Sequence, residues 1–355
     1  MKQLYHEKLK TVFVASGTEN DPLVLEGIVR KLSDGSLFLS WTGGGNTEPH
    51  VRNVTRYSKS YDGGNTWDSE KILFSHPNKG IFTPALFVDG DNLYAFPNSY
   101  YNHTTFAQDM QSYISVSTDY GKSFSPPASF KGCINNIHIK CTEKLGDKWL
   151  FACSWYEIDG TNWAPPMEGK ECIVAGTEIK PTSGQYWAWV TSNHTEYSGV
   201  LISEDKGESW RLHGRIGHKG RSFVEPMFTF LSDGTIVMFL RTNIPYLFES
   251  RSYDGGLTWS EAVQTNIPSA ITKVKLLKDS HGTIYLLHNP NPKGRHPLAL
   301  WISDDDMQTW SKKIELVNDD TRPLCYPDGF IDETNGKLCF SWEDRRQIYY
   351  SEFTL

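Results

Sequence analysis

Short apolar runs dominate the chain, and each is stopped within a few residues by Gly, Asp, Asn, Ser or Pro. Residues 224–259 show the unit most fully. Residues 228–231 and 236–240 are β-rich runs joined by Asp233-Gly234, a two-residue hairpin signal. Residues 246–250 form a third run, and the turn Ser252-x-Asp254-x-Gly256-x-Thr258-Trp259 leads out of it.

That turn recurs. Residues 60–67 (SYDGGNTW) match it at every fixed position, and 117–124 (STDYGKSF) carry Phe in place of Trp. Residues 203–210 (SEDKGESW) carry Ser for Thr, and 303–310 (SDDDMQTW), the weakest copy, lose the glycine to Met307. Copies starting at 60, 117, 203, 252 and 303 give steps of roughly 50 residues, with one long gap between the second and third. A period of that length holding about four strands predicts an all-β fold, a β-propeller whose blades bury their faces only by stacking on one another. Asp and Ser side chains bond nearby amides, Gly supplies a conformation a Cβ resists, and Trp covers the hairpin end. These aspartates therefore read as staples, not catalysts.

The blades follow in order. Blade one spans residues 23–67, with a Gly-rich stretch at 42–50 that reads as a binding loop at a propeller mouth. Blade two spans 82–124, and blade three spans 134–210 with an insertion at 155–184 expected to lie over one face. Blade four is the stretch described first, and blade five covers 274–310. Blade six has three runs, near 329–331, 337–342 and 347–353, and the N-terminal run 11–15 is expected to supply its missing strand. That closes the ring without a bare sheet edge. The expectation is a six-bladed β-propeller of four-stranded antiparallel blades forming one domain over residues 1–355.

A formal charge of −7 argues against a nucleic-acid surface, and no basic run suggests a membrane patch. Residues 1–17 lack the pattern of a signal peptide, so the chain as given reads as cytoplasmic, or as secreted if a leader has been removed. Six scattered cysteines show neither zinc spacing nor a dense disulfide frame and read as reduced, buried thiols.

Counting back from equivalent bends brings scattered residues to one rim. Glu225 lies eight residues before Asp233, Glu26 eight before Asp34, and Tyr326 nine before Asn335 of the Asn335-Gly336 hairpin. All three should start inner strands at one mouth of the central channel. Counted from the turn serines, Arg295 lies eight residues before Ser303 and Arg52 eight before Ser60, which puts both at that same rim. Arg241 ends the second strand of blade four there. Such a set reads either as an internal ion-pair ring or as a site for a carboxylate-bearing ligand, because guanidinium groups grip carboxylates through paired donors.

At these residues the chain resembles the sialidase (neuraminidase) superfamily, over nearly all of its length. The repeated turns are similar to that family's Asp boxes, or BNR repeats. The resemblance implies an arginine triad for a sialic acid carboxylate, a tyrosine nucleophile partnered by a glutamate, and an acid/base carboxyl on a loop. Glu225-Pro226…Asp233-Gly234…Arg241 is similar to the segment carrying the glutamate and the second arginine. Arg295 in Gly294-Arg295-His296-Pro297-Leu298 matches the third arginine, and Tyr326 in Cys325-Tyr326-Pro327-Asp328 matches the nucleophile. Glu48 occupies the acid/base loop, as Glu where Asp is usual. The family's first arginine is absent, and the segment there is Leu25-Glu26-Gly27-Ile28-Val29. A glutamate facing the site would repel a carboxylate, so either Arg52 takes over or the substrate is not a standard sialic acid.

The leading expectation is a retaining exo-glycosidase for a terminal acidic sugar on a glycan. Tyr326, Glu225 and Glu48 would be catalytic, and Arg241, Arg295, Arg52, Glu26, His50 and His138 would line the substrate site. A second reading is elimination at a uronate sugar with His50 or His138 as base. A third is glycan binding without turnover, through Tyr100, Tyr101 and Trp163. No cofactor is implied.

Overall fold

The computed structural model describes residues 4–100, 110–131, 133, 136–158, 173–177, 179, 194–217 and 222–355. Its secondary structure there is strands and turns, arranged as six antiparallel sheets. Blade four shows the plan: Val224–Phe230, Ile236–Arg241, Tyr246–Ser252 and Val263–Pro268 pair in sequence order. Blades two, three and five repeat that order from inner strands Gly80–Asp89, Ile137–Leu145 and Lys275–Lys278. Blade one starts with Val24–Lys31 and blade six with Cys325–Asp332. Each inner strand touches that of the next blade, and Val24–Lys31 touches Cys325–Asp332, so the sheets form a ring.

The N-terminal strand Leu9–Ser16 pairs with Gln347–Thr354 as the fourth strand of blade six. First and last segments of the chain thus share one sheet, as the three-run count of blade six requires. Most of the insertion expected to lie over one face, residues 159–172, 178 and 180–184, lies outside the described residues. The second strand of blade three continues to Ile158, and Val174–Ala175 adds a fifth strand to the outer edge of blade one. Edge groups on Lys71–Ser75 are satisfied this way: the Gly176 amide donates to the Leu73 carbonyl at 2.9 Å.

The apolar cores lie between blades, not on the axis. One cluster joins blades three, four and five, and others join two to three, five to six, one to two and one to six. The repeated turns serve these seams. Ser252 Oγ donates to Asp254 Oδ1 at 2.9 Å and accepts the Gly256 amide at 2.8 Å, while Asp254 also receives the Thr258 amide at 2.9 Å. The aromatics that end the first three turns pack on the preceding blade. Trp67 meets Tyr350 of blade six at 5.4 Å, and Phe124 meets Phe74 of blade one at 5.9 Å. Trp210 meets Phe96 of blade two at 6.2 Å. A Cβ on Gly64 would lie 2.1 Å from the Tyr350 ring, so glycine there serves the seam as well as the turn. The weakest copy keeps the same bonds: Met307 adopts φ 64° and its amide reaches Ser303 Oγ at 2.9 Å.

Ser252 is fully buried at one such seam. Ser252→Ala orphans the buried Gly256 amide and should cost about 1–3 kcal/mol, read as a lower urea midpoint at unchanged slope.

Candidate active site

The inner strands do not run straight into the channel. Their pairing slips by a residue between Leu25 and Ile28, Phe82 and Ala85, Ile139 and Cys141, Val224 and Met227, and Cys325 and Asp328. Glu26, Lys140, Glu225 and Tyr326 all sit in these bulges. Three of them adopt the left-handed region, with φ of 52° at Glu26, 50° at Glu225 and 47° at Tyr326. That conformation costs a residue with a Cβ on the order of 1–3 kcal/mol. A bulge re-aims its side chain, and here several are re-aimed across one channel.

Tyr326, Glu225 and Arg241 meet directly. Arg241 Nη1 donates to Glu225 Oε2 at 2.8 Å and to the Tyr326 hydroxyl at 3.2 Å, so one guanidinium holds the acid and the phenol together. The Arg295 guanidinium lies 5.2 Å from the centre of the Tyr326 ring. It is held by donation to the Ile271 carbonyl at 3.2 Å and the Cys325 Sγ at 3.3 Å. Burial and the Glu225 charge raise the Tyr326 phenol above its ordinary value, while Arg241 and Arg295 pull the other way.

Glu48 lies within the field of the same groups. Burial, then the charges of Glu26 and Glu225, push its carboxyl up to about 7 against the pull of Lys140 and Arg345. Its loop is tied down on both sides. Asn53 Nδ2 donates to the Gly44 carbonyl at 2.7 Å and to Thr47 at 3.1 Å, and the Gly45 amide donates to Asp21 at 2.6 Å.

Glu26 is not the open anion that its place in the sequence suggested. Lys140 of blade three donates to its two oxygens at 2.7 and 2.9 Å, and Lys273 of blade five reaches it at 3.1 Å. Burial alone would raise this carboxyl; the two lysines outweigh it and hold it down at about 2. The cluster carries one net positive charge. Below it, Asp328 pairs with Arg30 and lies 3.5 Å from Lys275, so the channel is lined with alternating charges.

Other expected residues lie elsewhere. Arg52 is exposed, pairs with Asp21 at 3.1 Å and donates to the Asn20 carbonyl at 3.1 Å. His50 is buried inside that loop and accepts the Arg52 amide on Nδ1 at 3.0 Å, a structural contact. His138 stacks on Phe82 at 5.1 Å, and burial, with Lys140 adding to it, holds it well below the ordinary histidine value. Tyr100 is fully buried against Phe82 at 3.9 Å and offers no face to a sugar; Tyr101 and Trp163 lie outside the described residues.

Sequence counting missed Lys140, Lys273, Glu343 and Arg345. Counting back eight from Gly146, the first residue of the Gly146-Asp147 bend, reaches His138, and Lys140 lies two residues beyond it. The others carry no such signal. Glu343 pairs in register with Cys325 and is wholly buried, and burial pushes its carboxyl up to about 8.

The model of the BNR repeat-like domain family matches residues 35–339 of this chain. The protein belongs to that family, and is a BNR-repeat propeller of the sialidase superfamily. The chain is 25% identical over 162 residues to the anhydrosialidase of Macrobdella decora, covering 42% of this chain and 21% of that protein. It is 28% identical over 151 residues to the sialidase of Vibrio cholerae, covering 33% of this chain and 19% of that protein. The matched parts thus span about a fifth of these curated relatives. A Dyadobacter fermentans protein of unknown function superposes with a TM-score of 0.75 at 16% identity, covering 99% of this chain and 100% of that one. Trypanosoma rangeli sialidase superposes at 0.69 and 14% identity, covering 98% of this chain and 60% of that one. These structural likenesses show the shared fold.

The Glu26 cluster is the plainest departure of this BNR-repeat propeller from the pattern its sequence resembles. Lys140→Met removes one of two cations from a buried carboxylate and should cost about 3–5 kcal/mol at neutral pH. Adding Glu26→Gln should recover part of that loss, which a double-mutant cycle by urea denaturation measures.

Proposed function

We propose that this protein is a sialidase-type retaining glycosidase acting on a terminal acidic sugar of a glycan. The observation that carries the reading is Arg241, which binds Glu225 and the Tyr326 oxygen at once. A cation donating to a phenol oxygen favours its ionised form, and a carboxylate beside it can take the proton. Tyr326 would attack the anomeric carbon, with Glu225 as its base. A phenol begins the reaction neutral, and so avoids the repulsion a carboxylate would meet at an anomeric centre already bearing one; sialidases, with a tyrosine nucleophile, depart from the usual pair of carboxylates for this reason. Glu48, with a carboxyl near pH 7, suits the donor of a proton to the leaving oxygen and then the base that activates water. Arg295, beside the ring of Tyr326, would hold the sugar's acid group.

A panel of acidic-sugar glycans with released products identified by mass tests the reading, because hydrolysis adds water to the released sugar and elimination leaves it unsaturated. Tyr326→Phe should lower turnover on the order of 10³-fold or more. Near-normal turnover in that variant would end the mechanism. The pH profile supplies a second check. Glu48 acts first as an acid, so kcat/KM on a natural glycan should fall as pH rises through about 7. An activated aryl glycoside, whose leaving group needs no proton, should lack that limb.

A further inference from the structure

The guanidinium groups at this site are not equally committed. Arg241 is spent on Glu225 and Tyr326, and its charge is matched by that carboxylate. Among the described residues Arg295 makes two side-chain bonds, to a carbonyl and to a thiol, and neither partner matches its charge. A second arginine acting on the same Cys325 and Glu343 is Arg345, in the bend between the second and third strands of blade six. Its side chain is exposed and its guanidinium makes no hydrogen bond or ion pair among the described residues.

Its backbone, by contrast, is pinned. Arg345 adopts φ 70°, its amide donates to a carboxyl oxygen of the buried Glu343, and its carbonyl accepts the Val24 amide at 3.0 Å. Val24 opens the inner strand of blade one, next to Leu25 and Glu26. Glu343 stands opposite Cys325, whose Sγ accepts from Arg295, and Cys325 precedes Tyr326. The chain of contacts Arg295, Cys325, Glu343, Arg345 therefore brings the Arg295 guanidinium and the Arg345 backbone to the same short stretch of blade six, next to the nucleophile candidate. Both arginines act on Cys325 and on Glu343, and Arg345 also acts on Glu48. Glu343, with its carboxyl near 8, is largely protonated at neutral pH and leaves both positive charges unmatched.

We propose that Arg345, reaching in from the bend of blade six, binds the substrate's carboxylate together with Arg295, the part that Arg52 is too occupied to play. Arg345 is fixed at its bend by the Val24 amide and by Glu343, at the start of the inner strand of blade one, and its charge is felt at Glu48. The inference rests on the sialidase-type reading, and it narrows that reading to ligands whose carboxylate is ionised and lies close to the reacting carbon.

Calorimetric titration with the sialidase inhibitor DANA and with its methyl ester tests it. Relative to wild type, Arg345→Ala should weaken DANA about 10- to 100-fold, the range expected for losing one charged contact, and should leave the ester within about twofold. Arg345→Lys should fall between, since an ammonium keeps the charge but not the paired donors. Arg52→Ala should bind DANA within about twofold of wild type. Unchanged DANA affinity in Arg345→Ala overturns this inference alone, as does an equal loss for acid and ester. A wild-type protein that binds neither compound at millimolar concentration overturns the sialic-acid reading and this inference with it.

Discussion

A four-stranded sheet with two apolar faces cannot stand alone in water, and this constraint shapes everything else in the molecule. Each blade must lie against two others, and a row of such blades has no end until it meets its own beginning. The strand Leu9–Ser16 meets that need by completing blade six from the other end of the chain. The repeated turns act at the seams this creates. Their Asp and Ser bonds shape the bend, and the aromatic residue that follows is thereby set against the preceding blade. What looks like a local turn motif in the sequence is a joint between sheets.

Stacking by faces puts the apolar residues between blades and leaves the axis to polar ones. Charges brought there are shielded from water and need partners. Glu26 takes two lysines from blades three and five, Asp328 takes Arg30 and Lys275, and Arg241 takes Glu225. The bulges let this happen, since each turns a residue out of the alternating pattern of its strand toward the channel. At the mouth, Arg295 and Arg345 form no ion pair among the described residues. Burial pushes the carboxyls of Glu48 and Glu343 up to about 7 and about 8. A rim holding surplus cations and protonated acids beside a phenol is suited to an anionic ligand and to proton transfer.

Legibility followed the range of the interactions concerned. The turns, the hairpins and the six-fold count rest on contacts within a few residues, and blade six announced its missing strand by having only three runs. Phase counting brought Glu225, Arg241 and Tyr326 together because all three lie on strands whose position in the blade is set by a nearby bend. The count before a third strand, which lands in a loop, placed Arg295 beside Tyr326 but misplaced Arg52. There, Asp21, from a different segment, decides where the side chain goes.

Residue spacing on its own therefore determined the architecture and the rim on which the acids, the phenol and Arg241 lie, since each is fixed by bends a few residues away. Only the closed ring decided the charge state of that rim. Glu26 looks like a bare anion until lysines from two other blades reach it, and Arg345 looks like surface until its bend is seen between Val24 and Glu343. Those partners stand many residues apart in the chain and meet through blade stacking, a relation that no local pattern encodes.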